Sequence, residues 1–386
     1  MRYYLIAGEA SGDLHGANLI RGIKKADPDA EFRFWGGDRM AEQAGEKSLA
    51  RHYKTASFFG IMGVLTHLGE IARQMRECKA DVAAFNPDVL ILIDYPGFNF
   101  RMAKFAHKRG IRTFYYISPK VWAWKESRVK LIRKYVDQLF IIFPFEIEYF
   151  RKKGIDAIFE GNPLVDALEE EMASMPPREL FLETNELDDS RPLVALLAGS
   201  RASEIKYNLS FMVDLSRLFP DYQFVVAGVA WLKREQYDKY LAGSDVKIIF
   251  GQTYPLLRYS EAAVVTSGTA TLETALIGTP ELVCYRVDGL SMVIAKLFLR
   301  VKFVSLVNII MKREVVRELL QWDMTMENAS AELRSLLPGG SRREGMMADF
   351  EELRGMVGGP GASDRFAARM VELLKKPEEN QTQAGK

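Results

Sequence analysis

Cysteine is scarce in this chain. Cys78 and Cys284 stand alone among 386 residues, without metal-type spacing, which argues against a disulfide framework and a thiolate zinc site. Histidine is as sparse, and His15, His52, His67 and His107 form no paired-ligand pattern. No stretch of 18 uncharged apolar residues occurs, so no segment is expected to span a bilayer. An excess of one charge is missing too. Against 52 basic residues stand 51 acidic ones, which speaks against a nucleic-acid partner and leaves room for a local basic patch at most. The N-terminus runs directly into the strand-like Arg2-Tyr3-Tyr4-Leu5-Ile6-Ala7-Gly8 instead of a signal peptide, so the expected compartment is the cytosol. The lysine of a P-loop, the dinucleotide glycine fingerprint, the nucleophile elbow of hydrolases, the zincin helix motif and the kinase set are all lacking.

What is present is alternation. Strand-like runs at Tyr3–Ala7, Phe32–Trp35, Val89–Ile93, Thr113–Ile117 and Leu139–Phe143 are separated by helical patterns such as Asp13–Lys25, Phe98–Lys108 and Lys125–Lys134. Aliphatic runs between helices predict a parallel sheet covered on both faces. Past Pro163 the chain turns polar and irregular, and 165–190 reads as a boundary. The alternation restarts at Leu193–Leu197, Phe224–Ala227, Lys247–Phe250, Ala262–Val265 and Leu282–Tyr285. The expected fold is α/β, with two doubly wound, Rossmann-like domains at 1–165 and 190–326 facing a cleft. Helices are expected over 327–375 and a disordered tail over 376–386.

In doubly wound sheets ligands bind beyond the carboxyl ends of the strands, which selects the loops to inspect. After the first strand come Glu9, Ser11 and Asp13, which suit sugar hydroxyls or simple helix capping. Asp94 follows Val89–Ile93, placed for proton abstraction or as a turn aspartate. The run Ser118-Pro119-Lys120-Val121-Trp122-Ala123-Trp124-Lys125 offers a sugar-stacking or lipid-facing surface, or packing for a neighbouring helix. Arg201 opens a helix in the second half, where it suits a diphosphate or pairs with Glu204. Ser267-Gly268-Thr269-Ala270-Thr271-Leu272-Glu273 follows Ala262–Val265 and reads as a phosphate-binding helix mouth or as a well-capped helix. Glu273 lies four residues after Thr269, too far for a capping box with it, and is free to accept hydrogen bonds from a ribose.

These residues in this order resemble the lipid-A-disaccharide synthase family, inverting glycosyltransferases of the two-domain GT-B type. The matching runs include Ala7-Gly8-Glu9-Ala10-Ser11-Gly12-Asp13, Ile61-Met62-Gly63, Ser118–Trp124, Phe143-Pro144-Phe145-Glu146, Glu160-Gly161-Asn162-Pro163, Gly199-Ser200-Arg201, Ser267–Glu273, Tyr285-Arg286 and Val304–Asn308, within about 3–336. The resemblance implies a hexosyltransferase that joins UDP-2,3-diacylglucosamine to the 6-hydroxyl of 2,3-diacylglucosamine 1-phosphate, releasing UDP, with no metal and no cofactor. It further implies a donor side made of Arg201, Ser267, Gly268, Thr269, Glu273, Tyr285 and Asn308, and an acceptor side with Ser11, Asp13, Ser118 and Trp122.

One position departs from the family motif Asp-x-Pro-Asp-Phe-Asn: its second aspartate, the family's favoured base, is Gly97 here. Asp94, Asp38 and Glu9 are the candidates for the missing carboxylate. Acylated substrates imply a protein lying on the cytoplasmic face of the inner membrane. Phe58, Phe59, Ile61, Met62, Val64 and Leu65 suit that contact, as do Val293, Leu297 and Phe298 in a segment edged by Lys296 and Arg300, although a buried core helix has the same pattern. Family members form dimers that exchange C-terminal elements, which puts 327–375 on the N-terminal domain or on a partner chain. A sugar-nucleotide epimerase of the same architecture and a non-catalytic lipid- or nucleotide-binding relative are the rival readings.

Overall fold

The computed structural model describes residues 1–55, 68–286 and 302–376. The membrane-contact candidates Phe58, Phe59, Ile61, Met62, Val64, Leu65, Val293, Leu297 and Phe298 lie outside the described residues, as does the expected tail beyond residue 376. The chain divides into two units, Met1–Asp166 with Gly358–Lys386, and Ala167–Val357.

In the first unit, β1 (Arg2–Ala7), β2 (Glu31–Gly36), β3 (Leu49–His52), β4 (Val89–Ile93), β5 (Arg112–Tyr116), β6 (Gln138–Ile141) and β7 (Ala157–Phe159) form one sheet. Its order is β3-β2-β1-β4-β5-β6-β7 and every pairing is parallel. The crossovers are α1 (Ala10–Ala26), α2 (Asp38–Ala44), α3 (Leu68–Phe85), α4 (Pro96–His107), α5 (Val129–Tyr135) and α6 (Pro144–Arg151), and α7 (Pro163–Ala173) leads out of the unit. The central strands are buried on both faces because successive aliphatic and aromatic residues point to opposite sides. Tyr3, Leu5, Ile91 and Phe114 pack with one set of helices, and Tyr4, Ile6, Leu90 and Tyr115 with the other.

The second unit holds α8 (Arg178–Thr184), β8 (Leu193–Leu197), α9 (Ala202–Ser216), β9 (Gln223–Gly228), α10 (Glu235–Leu241), β10 (Lys247–Phe250), α11 (Thr253–Tyr259), β11 (Ser260–Val265), α12 (Thr269–Ile277), β12 (Glu281–Tyr285), α13 (Leu306–Met311) and β13 (Glu318–Leu320). Its parallel sheet runs β10-β9-β8-β11-β12-β13. The strand order reverses between β1 and β4 in one sheet and between β8 and β11 in the other. Those two switch points are where ligands bind in such folds.

Two expectations need correction. The 165–190 stretch is not an irregular linker: it contains most of α7 and all of α8, and the division falls between Asp166 and Ala167. The helix α8 belongs to the second unit because Phe181 is buried there against the Tyr259 ring at 5.6 Å. The 327–375 helices also do not act together. Both α14 (Met326–Leu336) and α15 (Arg343–Val357) belong to the second unit. Arg343 ion-pairs with Glu261 at 2.9 Å, Arg354 donates to the Leu276 carbonyl at 3.1 Å, and Phe350 and Leu353 are fully buried.

Only α16 (Ala362–Lys375) returns to the first unit, where Phe366, Ala367 and Met370 join the core against α1. The approach is close enough that a Cβ at Gly22 would lie 2.8 Å from Ala367. Asp166 caps α16, accepting the N–H groups of Gly361, Ala362 and Ser363 at 2.6, 3.1 and 2.7 Å.

Candidate functional site

In the first unit the carboxyl edge is organised around Asp94. Asp94 and Tyr95 both take left-handed φ values, +42° and +44°. Such a conformation costs a non-glycine residue about 1–3 kcal/mol, and surrounding bonds must hold it. They do so on three sides: Asp94 N–H donates to the Tyr116 carbonyl at 3.1 Å, while the Asp94 carbonyl accepts the Tyr115 hydroxyl at 2.5 Å and the Asn99 amide at 2.8 Å. The Tyr95 ring lies where a Cβ at Gly8 would come within 2.4 Å, so that turn requires glycine. Burial pushes the Asp94 carboxyl up to about 6, with the Glu9 charge adding to the rise and Lys120 and Arg128 opposing it. A carboxylate with that value is suited to accept a proton near neutral pH.

The other two candidates differ. Asp38 is exposed, bonded to Lys54 at 3.1 Å and His52 at 3.2 Å, and these partners hold its carboxyl below the usual range. That makes it a weaker base than Asp94. Glu9 accepts the Ser11 hydroxyl at 2.7 Å and acts on Asp94 through its charge.

Asp13 is corrected. It is buried and accepts the N–H groups of Gly37, Arg39 and Met40 at 2.6, 3.1 and 3.2 Å, so it caps α2 with both carboxylate oxygens engaged. Ser118 and Trp122 converge on the carboxyl of Glu146. Trp122 donates its indole N–H to Glu146 at 3.2 Å, Phe143 N–H does the same at 3.2 Å, and Ser118 also bonds to it. Burial pushes Glu146 up to about 7 against those donors. Trp122 is therefore part of a knot that fastens the 118–125 loop to α6, and the lipid-facing reading does not fit it. Beside the Asp94 turn a small apolar recess is lined by Trp35, Tyr53, Tyr95 and Phe98.

In the second unit the loop after β8 closes on itself. Glu204 accepts Ser200 N–H at 2.8 Å, Arg201 N–H at 3.3 Å and the Arg201 guanidinium at 2.8 Å. The internal pairing of Arg201 is thus the one observed. Because the Arg201 side chain is three-quarters exposed (75%), that pair adds little stability. Tyr285, at the end of β12, belongs to the same group, its hydroxyl pushed up by burial and by the Glu204 charge. Trp231 was not foreseen. It is 68% exposed, yet its indole N–H is anchored to the Ser200 carbonyl at 3.1 Å.

The α12 mouth opens after β11. Gly268 is its N-cap, with no side chain to take up the first N–H groups and nothing within 4 Å of a Cβ built there. Glu273 is pushed up by burial, and hydrogen bonds from the Tyr254 and Thr269 hydroxyls pull the other way. It is therefore already engaged, though a carboxylate keeps further acceptor positions. Ser267 donates its hydroxyl to the Val304 carbonyl at 2.8 Å, tying the two loops together.

Asn308 is corrected as well. It is fully buried, donates to the Val316 carbonyl and Glu318 at 2.8 and 2.9 Å, and accepts the Val315 and Val316 N–H groups at 2.7 and 3.0 Å. All its hydrogen-bonding capacity serves the 315–318 turn, which leaves none for a donor substrate.

Residues 3–357 match the model of the lipid-A-disaccharide synthetase family. The lipid-A-disaccharide synthase of Myxococcus xanthus is 38% identical over 379 residues, covering 97% of this chain and 97% of that protein. That of Trichlorobacter lovleyi is 35% identical over 381 residues, covering 97% and 98%. Among solved structures, UDP-GlcNAc 2-epimerase from Neisseria meningitidis bound to UDP-GlcNAc superposes with a TM-score of 0.67 at 14% identity, covering 96% of this chain and 100% of that one. Staphylococcus aureus MnaA with UDP gives 0.66 at 14% identity over 100% of both chains. At that identity the likeness speaks for the fold alone.

Proposed function

The chain belongs to the lipid-A-disaccharide synthase family of hexosyltransferases, and from that premise we propose which groups carry its reaction. The donor is UDP-2,3-diacylglucosamine and the acceptor is 2,3-diacylglucosamine 1-phosphate. The acceptor's 6-hydroxyl oxygen attacks the anomeric carbon of the donor sugar while the bond from that carbon to the UDP oxygen breaks. The hydroxyl proton passes to the Asp94 carboxylate, and UDP departs with the bonding electron pair. A single displacement inverts the anomeric centre and needs no covalent enzyme intermediate.

The observation that supports Asp94 most is its placement: a strained, part-buried turn at the switch edge of the first sheet, with a carboxyl raised to about 6. Gly97 stands at the family's aspartate position, so Asp94 takes the base's role. In the second unit, the first N–H groups of α12 and the exposed Arg201 stabilise the charge of departing UDP. Acylated substrates bring the protein to a membrane surface.

The test is UDP release by the purified protein given UDP-2,3-diacylglucosamine. Release that depends on added 2,3-diacylglucosamine 1-phosphate, with one disaccharide formed per UDP, supports transfer. Equal release without acceptor would favour the epimerase-like reading instead.

A further inference from the structure

The loop that follows β5 carries two cations that the reaction as described leaves unused. We propose that Lys120 and Arg128 form a subsite for the phosphate monoester of the acceptor. The inference rests on the acceptor assigned above and deepens it.

Placement comes from the sheet. Strands β4 and β5 are neighbours, with Ile93 paired to Tyr116, so the Asp94 turn and the 117–125 loop leave the same edge side by side. Ile117 turns the chain sharply with φ +63°, an unusual value for a β-branched residue. The Lys120 carbonyl then accepts Ala123 and Trp124 N–H, each at 3.1 Å, which fixes the backbone of Lys120 in a tight turn. Arg128 directly precedes α5, and α5 packs along α4, whose first turn follows Asp94. Both cations therefore stand beside the turn that holds the base.

Neither has an ion-pair partner among the described residues. Arg128 is only half exposed, and the carboxylate nearest to it in sequence, Glu126, is taken by Lys153 at 2.5 Å. A half-buried guanidinium without a salt-bridge partner gains from an anionic ligand. The reach of these charges is visible on their neighbours: both pull the Asp94 carboxyl down, and Arg128 does the same to the buried Tyr115 hydroxyl.

Two positive charges match a phosphate monoester, which carries about −1.5 to −2 at pH 7. The planar arginine fork adds paired hydrogen bonds to phosphate oxygens. Occupation has a consequence for the chemistry. Once phosphate neutralises the two cations, Asp94 loses their stabilising field and becomes the stronger base, with the acceptor already in place.

The experiment compares kcat/KM for 2,3-diacylglucosamine 1-phosphate and for the same lipid lacking its phosphate, at saturating donor, in uncharged detergent micelles. The wild type should prefer the phosphorylated acceptor by about tenfold to a hundredfold, the worth of a charge-assisted contact pair. The double variant Lys120→Ala, Arg128→Ala should bring that ratio close to one, and Arg128→Lys should keep part of it. UDP affinity measured by calorimetry reports whether each variant is folded. If the double variant fails to fold, the exposed Lys120→Met alone must lower the ratio severalfold. A ratio unchanged in these variants overturns the subsite, as does an equal loss on both acceptors, which marks general attraction to anionic surfaces. Product formed by the wild type with an unchanged variant ratio sinks the subsite alone. No product from either acceptor sinks the transfer reading and the subsite with it.

Discussion

The two units build equally regular parallel sheets, yet they treat the polar groups at the carboxyl edge in opposite ways. In the first unit the backbone is strained and the carboxyl proposed as base is poorly solvated: Asp94 and Tyr95 sit in left-handed conformations, and burial raises the Asp94 value. In the second unit the side chains first named as ligands are largely committed inward. Glu204 satisfies Ser200 and Arg201, Ser267 binds the Val304 carbonyl, and Asn308 fastens the 315–318 turn. What that unit offers an anion is backbone at the α12 mouth and an exposed, weakly held arginine. A base must be held away from water to be effective near neutral pH, whereas a phosphate site needs donors in fixed places. Strain suits the first requirement and internal satisfaction suits the second.

The largest effect that would break this comparison is at Asp94. Asp94→Asn removes the proposed proton acceptor while keeping the shape, and should lower kcat by about 10²–10⁴ with UDP affinity unchanged. The wild-type acid limb of kcat/KM should fall near pH 6, because the base works ionised and is lost as pH drops through its folded value. A variant with kcat within threefold of wild type would remove Asp94 from the mechanism.

The next effect is at Asn308. If the amide is structural, Asn308→Ala strands the Val315 and Val316 N–H groups and should cost about 2–4 kcal/mol in urea unfolding. UDP binding by the folded fraction should then be nearly normal. A variant of normal stability with weak UDP binding would restore Asn308 to the donor side.

These cases show what the sequence could and could not disclose. Strands β1, β4, β8 and β11 were legible because long aliphatic runs buried on both faces have few other fates. Strands β3, β7 and β13 were not, being short, largely half-buried edge strands that lack a long apolar run. Asp94 could be singled out because a strand end locates it. Asn308 could not be classified, since its partners at 315–318 appear only when the chain folds back. Arg128 was hidden within a run of lysines and arginines that reads as a solvated helix face. Only the packing of α5 along α4 sets it apart.

The smallest effect expected, and the sharpest for the first unit, comes from Gly97→Asp. Gly97 is exposed, and a Cβ built there meets nothing within 4 Å, so the family's aspartate fits without displacement. Stability should change by no more than about 0.5 kcal/mol, and a carboxylate in the first turn of α4 is favoured by the helix dipole. A second negative charge near Asp94 disfavours its ionised form. The acid limb of kcat/KM should therefore move upward from about 6, by less than one pH unit because the new charge is screened by solvent. The opposite outcome is as informative. If the limb moves down toward the ordinary carboxylate range, and if Gly97→Asp restores turnover to Asp94→Asn, the introduced carboxylate has taken over proton abstraction. The strained Asp94 turn would then be one of two geometries that serve the same step, and burial would not be essential to it.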